Sequence, residues 1–155
     1  MSTDAETVVR AAYRAAEGSV LDVQGFVNLF AEDGVFNNGV AGESHRGEHR
    51  GAPVAFMGAL APDVHRELHR FHVMGNVVSV ELTIQGTFTR PFETPAGTIR
   101  PTGAELNIPT ADFWYIENGR IKEFNCYVGL SVMLAQLGVQ PDFASVVTAS
   151  APVTS

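Results

Sequence analysis

Two turn dipeptides constrain this chain more than any other feature. Gly75-Asn76 and Asn118-Gly119 each stand between long runs of strand-forming residues. Such pairs reach positive φ easily and match the twist of the strands they join, so each specifies a β-hairpin. The hairpins join runs 65–74 with 77–90 and 104–117 with 120–128. Gly97 and Pro101-Thr102-Gly103 mark a looser connection between them.

The chain ahead of the hairpins carries helix signals. Thr3 and Glu6 form a capping box before an Ala-rich run in which Val9, Tyr13 and Ala16 share a face and which Gly18 ends. Asp22 can cap a second helix, with Phe26, Leu29 and Phe30 on one face and Gly34 after it. A short extended piece, 35–38, leads into a Gly/His/Arg-rich loop, 42–51. Pro53 opens a third helix carrying Phe56, Met57 and Leu60, which stops before Pro62. A last helix, 130–137, is closed by Gly138 and Pro141. Helices gathered first and strands afterwards imply an α+β fold with an antiparallel sheet. A curved sheet over three helices makes a cone with an internal pocket, which suits this order better than a flat two-layer sandwich. The length fits one domain, residues 1–140, followed by a tail, 141–155, either loose or lying on a neighbour.

Composition removes several function classes. Ten Lys and Arg against 17 Asp and Glu give a net charge of −7, which argues against nucleic acid or an anionic membrane as partner. No apolar run reaches the roughly 18 residues of a membrane span. The polar, acidic N-terminus does not look like a secretory signal, and the single cysteine, Cys126, excludes an internal disulfide. A reducing, cytoplasmic location is expected. Only 17% of residues are charged, so a second copy of the chain is expected to cover part of the surface as a homodimer. His65, His69 and His72 cannot converge on a metal, because residue 72 points to the other face of a strand from 65 and 69. Phosphate-binding loops, dinucleotide fingerprints and nucleophile-elbow serines are missing, and no cofactor is expected.

Hairpin register nominates the site. With Met74 opposite Val77, uninterrupted pairing sets Phe71, His69 and Glu67 opposite Val80, Leu82 and Ile84 on the apolar side. Glu67 and His69 would then be ionisable groups facing the core, and a carboxylate beside an imidazole orients and tunes a general base. The competing reading is an open strand end or a bulge that swaps faces. In the second hairpin, Phe113 falls opposite Phe124 and Ala111 opposite Cys126, so Phe113, Phe124 and Cys126 line the pocket and Asp112 turns away with Asn125. One bulge between Asp112 and Asn118 would turn Asp112 inward as an alternative base. Tyr13 is either a satisfied core phenol or a donor to a ligand oxygen. Asn38 is either a turn former or a ligand contact. Phe30 and Phe88 complete the expected aromatic wall. Cys126 is expected to pack rather than react.

With these elements placed, the chain resembles a known family. The element order, the run Phe30-Ala31-Glu32-Asp33-Gly34 and the run Glu117-Asn118-Gly119-Arg120-Ile121 are similar to the nuclear transport factor 2-like superfamily, of cystatin-like fold. Gly86-Thr87, Pro101-Thr102-Gly103, Asn118-Gly119-Arg120-Ile121 and Gln136-Leu137-Gly138, in that order, resemble the SnoaL-like polyketide cyclase (ester cyclase) group, over roughly residues 5 to 140. The resemblance implies a cone-shaped fold, commonly dimeric through the outer sheet face, in a group that includes cofactor-free aldol cyclases. Relatives on this fold isomerise, dehydrate or hydrolyse, and others only bind. Where cyclase-like members carry an acidic residue on the last long strand, this chain has Cys126. Where the group often has His after Gly-Thr, it has Phe88, and where isomerase-like members have Asp it has Asn38. Their first-helix tyrosine matches Tyr13.

Three functions follow from this reading. The first is a cofactor-independent acid/base enzyme, of cyclase, isomerase or dehydratase type, acting on a small apolar oxygenated molecule. His69 is its base, oriented by Glu67, with Tyr13 and Asn38 steadying the oxyanion and Asp112 as the other candidate base. The second is a non-catalytic small-ligand-binding protein, favoured by Cys126 and Phe88. The third is a structural interaction module using the outer sheet face and Trp114.

Overall fold

Caps decide where the first helices begin. In the computed structural model, which describes residues 4–153, α1 (Ala5–Ala16) starts at Asp4. The Asp4 carboxylate accepts hydrogen bonds from both the backbone N–H and the hydroxyl of Thr7. Thr3 of the expected capping box lies outside the described residues. Asp22 caps α2 (Val23–Asn28) by accepting the Gly25 N–H. This helix is shorter than the sequence suggested, because Phe30 opens strand β1 (Phe30–Asn38) instead of closing the helix. Pairing with a later strand overrides the helical spacing of Phe26 and Phe30. The loop after β1 folds into β2 (Glu43–His45) and a 3₁₀ turn over Gly47–Gly51, and α3 (Ala52–Leu60) follows with proline in its first turn.

Both expected hairpins form, from β3 (His65–Met74) with β4 (Val77–Thr87) and from β7 (Glu105–Glu117) with β8 (Arg120–Val128). The connection between them carries a small hairpin of its own, β5 (Phe92–Thr94) and β6 (Gly97–Ile99). The main sheet has the order β2-β1-β8-β7-β4-β3. It is not wholly antiparallel, since β1 runs parallel to β8. The chain ends in α4 (Leu130–Gln136) and α5 (Phe143–Ser150). The expected tail carries a short helix of its own: Asp142 accepts the Ser145 N–H, and a helix follows with Phe143, Val146 and Val147 exposed.

Each hairpin starts in the expected register and slips once. In β3 the extra residue is His69, so Leu68 pairs with Leu82 and Arg70 with Glu81. In β8 the extra residue is Lys122, so Ile116 pairs with Ile121 but Tyr115 pairs with Glu123. A bulge reverses which face every residue beyond it occupies. These two bulges decide what the sheet presents to its concave side.

That side is closed by α1, which buries Val9, Ala12, Tyr13 and Ala16 against it. Close approach seats the helix end. Gly18 donates its N–H to the Val64 carbonyl at 2.7 Å, and a Cβ at Gly18 would sit 2.2 Å from the Pro62 carbonyl oxygen. Among the described residues no helix is long and apolar enough to cross a membrane.

Candidate active site

A cavity of about 360 Å³ lies between the concave face of the sheet and α1, α3 and α4. Phe26, Phe36, Met57, Trp114, Phe124 and Met133 supply much of its wall, and the exposed side chains Val40, Phe56 and Leu130 supply an apolar rim. This volume lies at the small end of the range for small-molecule sites, and the lining is of the usual apolar kind.

The ionisable residue at its centre is Asp112. The Lys122 bulge sets Asp112 across from Cys126 and Trp114 across from Phe124, all four facing the cavity. Asp112 is only 3% exposed. Its Oδ2 accepts the Tyr13 hydroxyl proton at 2.7 Å, and the Tyr13 oxygen accepts the Trp114 indole N–H at 3.1 Å. Trp114 is fixed in turn by face-to-face stacking on Phe124, with ring centroids 3.6 Å apart and planes within 5°. The chain Trp114–Tyr13–Asp112 therefore orients the carboxyl through one oxygen and leaves Oδ1 with no hydrogen-bond partner. Burial raises the Asp112 carboxyl from 3.8 to about 6, while the Tyr13 hydroxyl, the Cys126 thiol and the charge of Arg66 hold it lower than burial alone would. Burial, then the negative charge of Asp112, push the Tyr13 phenol well above its usual value, and the same two causes raise Cys126. Cys126 is thus a neutral thiol beside the carboxyl.

Two more unpartnered buried atoms line the same cavity, Asn38 Oδ1 and His45 Nε2. His45 stands edge-on to Phe36 at 5.9 Å, and its Nε2 lies 3.4 Å from the Glu43 carboxylate without a hydrogen bond. Every orphaned buried side-chain atom found among the described residues therefore belongs to this one wall. Native proteins leave few buried polar groups unsatisfied, and such groups gathered around a cavity point to a ligand.

The expected carboxylate–imidazole pair is not in the cavity. The His69 bulge turns Glu67 and His69 to the outer face of the sheet. There His69 Nε2 meets the Thr83 hydroxyl at 2.9 Å, while Glu67 pairs with His65, whose other nitrogen contacts Glu17. Those two carboxylates, Glu67 foremost, raise the His65 pKa. The inner position went instead to Arg66, opposite Ile84. Phe113 is also outside, against Tyr127, because β7 carries the opposite phase from the one expected. Phe30 is buried away from the cavity, against Phe26 and beneath the Arg50 guanidinium. Phe88 lies just past the end of β4, fully buried, with its N–H on the Ala104 carbonyl. Tyr13, Asn38, Phe124, Cys126 and Asp112 do line the cavity. The expected oxyanion donation by Tyr13 is not available in this arrangement, because its only proton is on Asp112.

The model of the SnoaL-like domain matches residues 9–124. The chain belongs to the SnoaL-like family. Solved structures of this SnoaL-like protein's fold include IdmH of Streptomyces antibioticus, a proposed polyketide cyclase, at 23% identity and TM-score 0.70, covering 88% of this chain and all of that one (100%). A protein of ketosteroid isomerase-like fold from Catenulispora acidiphila, bound to trimethylamine, is also 23% identical, with TM-score 0.68 and coverage of 86% and 93%. An LEH-like epoxide hydrolase of M. tuberculosis is 19% identical, with TM-score 0.62 and coverage of 96% and 98%. No curated protein matches the chain. At such identities these likenesses establish a ketosteroid isomerase-like, nuclear transport factor 2-like fold, and the chemistry has to be argued from this chain's own residues.

Proposed function

We propose that this SnoaL-like protein is a cofactor-independent acid/base enzyme that removes a proton from carbon next to a carbonyl in a small, mostly apolar substrate. Asp112 is the base. One observation carries the reading: a buried carboxyl, raised to about 6, anchored through Oδ2 and unpartnered at Oδ1, in the wall of an apolar cavity. A base with that pKa is largely ionised at neutral pH and still strong enough to take a proton. Tyr13 and Trp114 hold it in place. The resemblance to cyclase-like members puts an acidic residue at the position of Cys126, and Asp112 is the cross-strand partner of that cysteine. The carboxylate would then reach the same part of the cavity from the neighbouring strand. The aromatic wall would hold the substrate body and exclude water, and Asn38 and His45 would meet its other polar groups.

The experiment needs no knowledge of the product. Apolar cyclic ketones such as 2-indanone and β-tetralone are incubated with the protein in D2O, and loss of the α-proton signal is followed by NMR. The wild-type protein should accelerate exchange, with a rate that rises with pH to a midpoint near 6, and Asp112→Asn should return it to the buffer rate. Exchange at the buffer rate for every ketone, or an Asp112→Asn protein as fast as wild type, overturns the proposal and leaves a ligand-binding protein.

A further inference from the structure

Removing a proton next to a carbonyl sends the C–H electron pair into a new C=C bond and the carbonyl π pair onto oxygen. A site that promotes this step needs a donor for that oxygen. Tyr13 has none left, since its O–H is on Asp112 and its oxygen already accepts from Trp114. Asn38 brings only a neutral amide, and the His45 Nε2 stands beside the Glu43 carboxylate, 3.4 Å away.

Arg66 is the one lysine or arginine among the residues lining the cavity. Its surroundings differ from those of Arg50, the buried arginine. Arg50 spends its guanidinium on three backbone carbonyls, those of Gly47, Ala31 and Gly34. The Arg66 guanidinium makes a single hydrogen bond among the described residues, to the Ala16 carbonyl at 2.9 Å, and no carboxylate forms an ion pair with it there. Glu17 accepts the backbone N–H of Arg66, not its side chain. A half-buried guanidinium with one partner keeps donors free for a ligand. The His69 bulge turns it inward, into the wall that holds Asp112.

We propose that Arg66 receives the substrate's carbonyl oxygen and carries the charge of the enolate, a catalytic role that rests on the reading of Asp112 as the base. The substrate class is then an enolisable ketone or ester whose carbonyl oxygen reaches Arg66 while its α-carbon reaches Asp112. The proton rests on Asp112 and the charge on the oxygen beside Arg66; Asp112 then returns the proton to the α-carbon, or that carbon attacks a second carbonyl of the substrate, whose π pair moves to its oxygen and takes the Asp112 proton, without any outside oxidant or reductant.

A phenolate imitates the enolate, and Asn at position 112 imitates the base after it has taken the proton. The probe is 4-nitrophenol, whose ionised form is read by its visible absorbance while bound to the Asp112→Asn protein. Arg66 should lower the pKa of the bound probe by about 1–3 pH units. Adding Arg66→Met should remove the shift, and Arg66→Lys should retain part of it. A probe that does not bind, one that titrates at or above its free value, or a shift that survives Arg66→Met overturns the proposal. Should Arg66→Met fail to fold, the ¹⁵Nε–H resonance of Arg66 in the Asp112→Asn protein decides: it moves when the phenolate binds, or the proposal is wrong. A lowered probe pKa without any α-proton exchange in the wild-type protein would sink Asp112 as base and leave Arg66 as an oxyanion site. Exchange without a lowered probe pKa would sink Arg66 alone.

Discussion

Asp112→Asn should make the protein more stable while removing its activity. The carboxyl is neutral in the fold up to about pH 6 but ionises near 3.8 once the chain unfolds. Between those values the folded state binds more protons than the unfolded state, so stability falls as pH rises. Below 3.8 both states are protonated and Asp112 costs nothing; above about 6 both are ionised and the full cost is present. At 1.36 kcal/mol per pKa unit, the move from 3.8 to about 6 is worth about 3 kcal/mol. Asparagine keeps an oxygen for the Tyr13 hydroxyl and never ionises, so it avoids this cost. At pH 7.5 the variant should gain up to about 3 kcal/mol, or roughly 6–12 °C in melting temperature for a chain of this size. At pH 3.5 the gain should vanish. Urea unfolding followed by the fluorescence of Trp114, the only tryptophan, measures both. The difference between the proteins cancels every other titrating group. A gain that is flat across this range, or a variant weaker than wild type at pH 7.5, refutes the reasoning.

Other perturbations test the supports of the site. Tyr13→Phe removes the hydroxyl that favours ionised Asp112, so the Asp112 carboxyl should titrate above 6 by ¹³C NMR. The same change strands the Trp114 indole N–H, at a cost of about 1–3 kcal/mol in urea; an Asp112 titration that stays put or falls contradicts it. Glu67→Ala and His69→Ala, both on the outer face, should leave α-proton exchange at the wild-type rate, and a large loss with either would mean that the β3 register is wrong. Gly18→Ala drives a methyl group onto the Pro62 carbonyl and should cost about 1–3 kcal/mol, loosening the end of α1 that carries Ala16. A Gly18→Ala protein as stable as wild type would show that this contact yields freely.

The hairpins and two helix starts were legible in the sequence, while the faces, though encoded in the burial pattern, were misassigned. Asn118-Gly119 and Gly75-Asn76 located both hairpin turns to the residue, and Asp22 and Pro53 located two helix starts. Phe30 misled because its helical spacing from Phe26 competes with sheet pairing, and no local signal records that β1 lies beside β8. The phase of β7 was readable. Leu106, Ile108, Trp114 and Ile116 are buried in strict alternation, with Asp112 among them, and the phase carrying Phe113 has no comparable run. The bulges were readable as changes of phase: Ile121 against Phe124 in β8, and Phe71 against Leu68 in β3, while Val78, Val80, Leu82 and Ile84 keep one phase throughout β4.

The two bulges differ in what they bring inward. At Lys122 the slip gathers Trp114, Phe124 and Cys126 into an apolar wall, a gain in burial that also encloses Asp112. At His69 the slip turns Leu68 in and takes Glu67 and His69 out to water, which burial also favours, but it brings Arg66 in with them. Packing alone would be served better by an aliphatic residue at 66 and at 112. A carboxyl and a guanidinium brought into one apolar cavity, where packing would favour aliphatic residues, stand where chemistry needs them. Asp112 gives up stability where it stands, no ion pair joins it to Arg66 among the described residues although each charge acts on the other, and a ligand that met both groups would offset that cost.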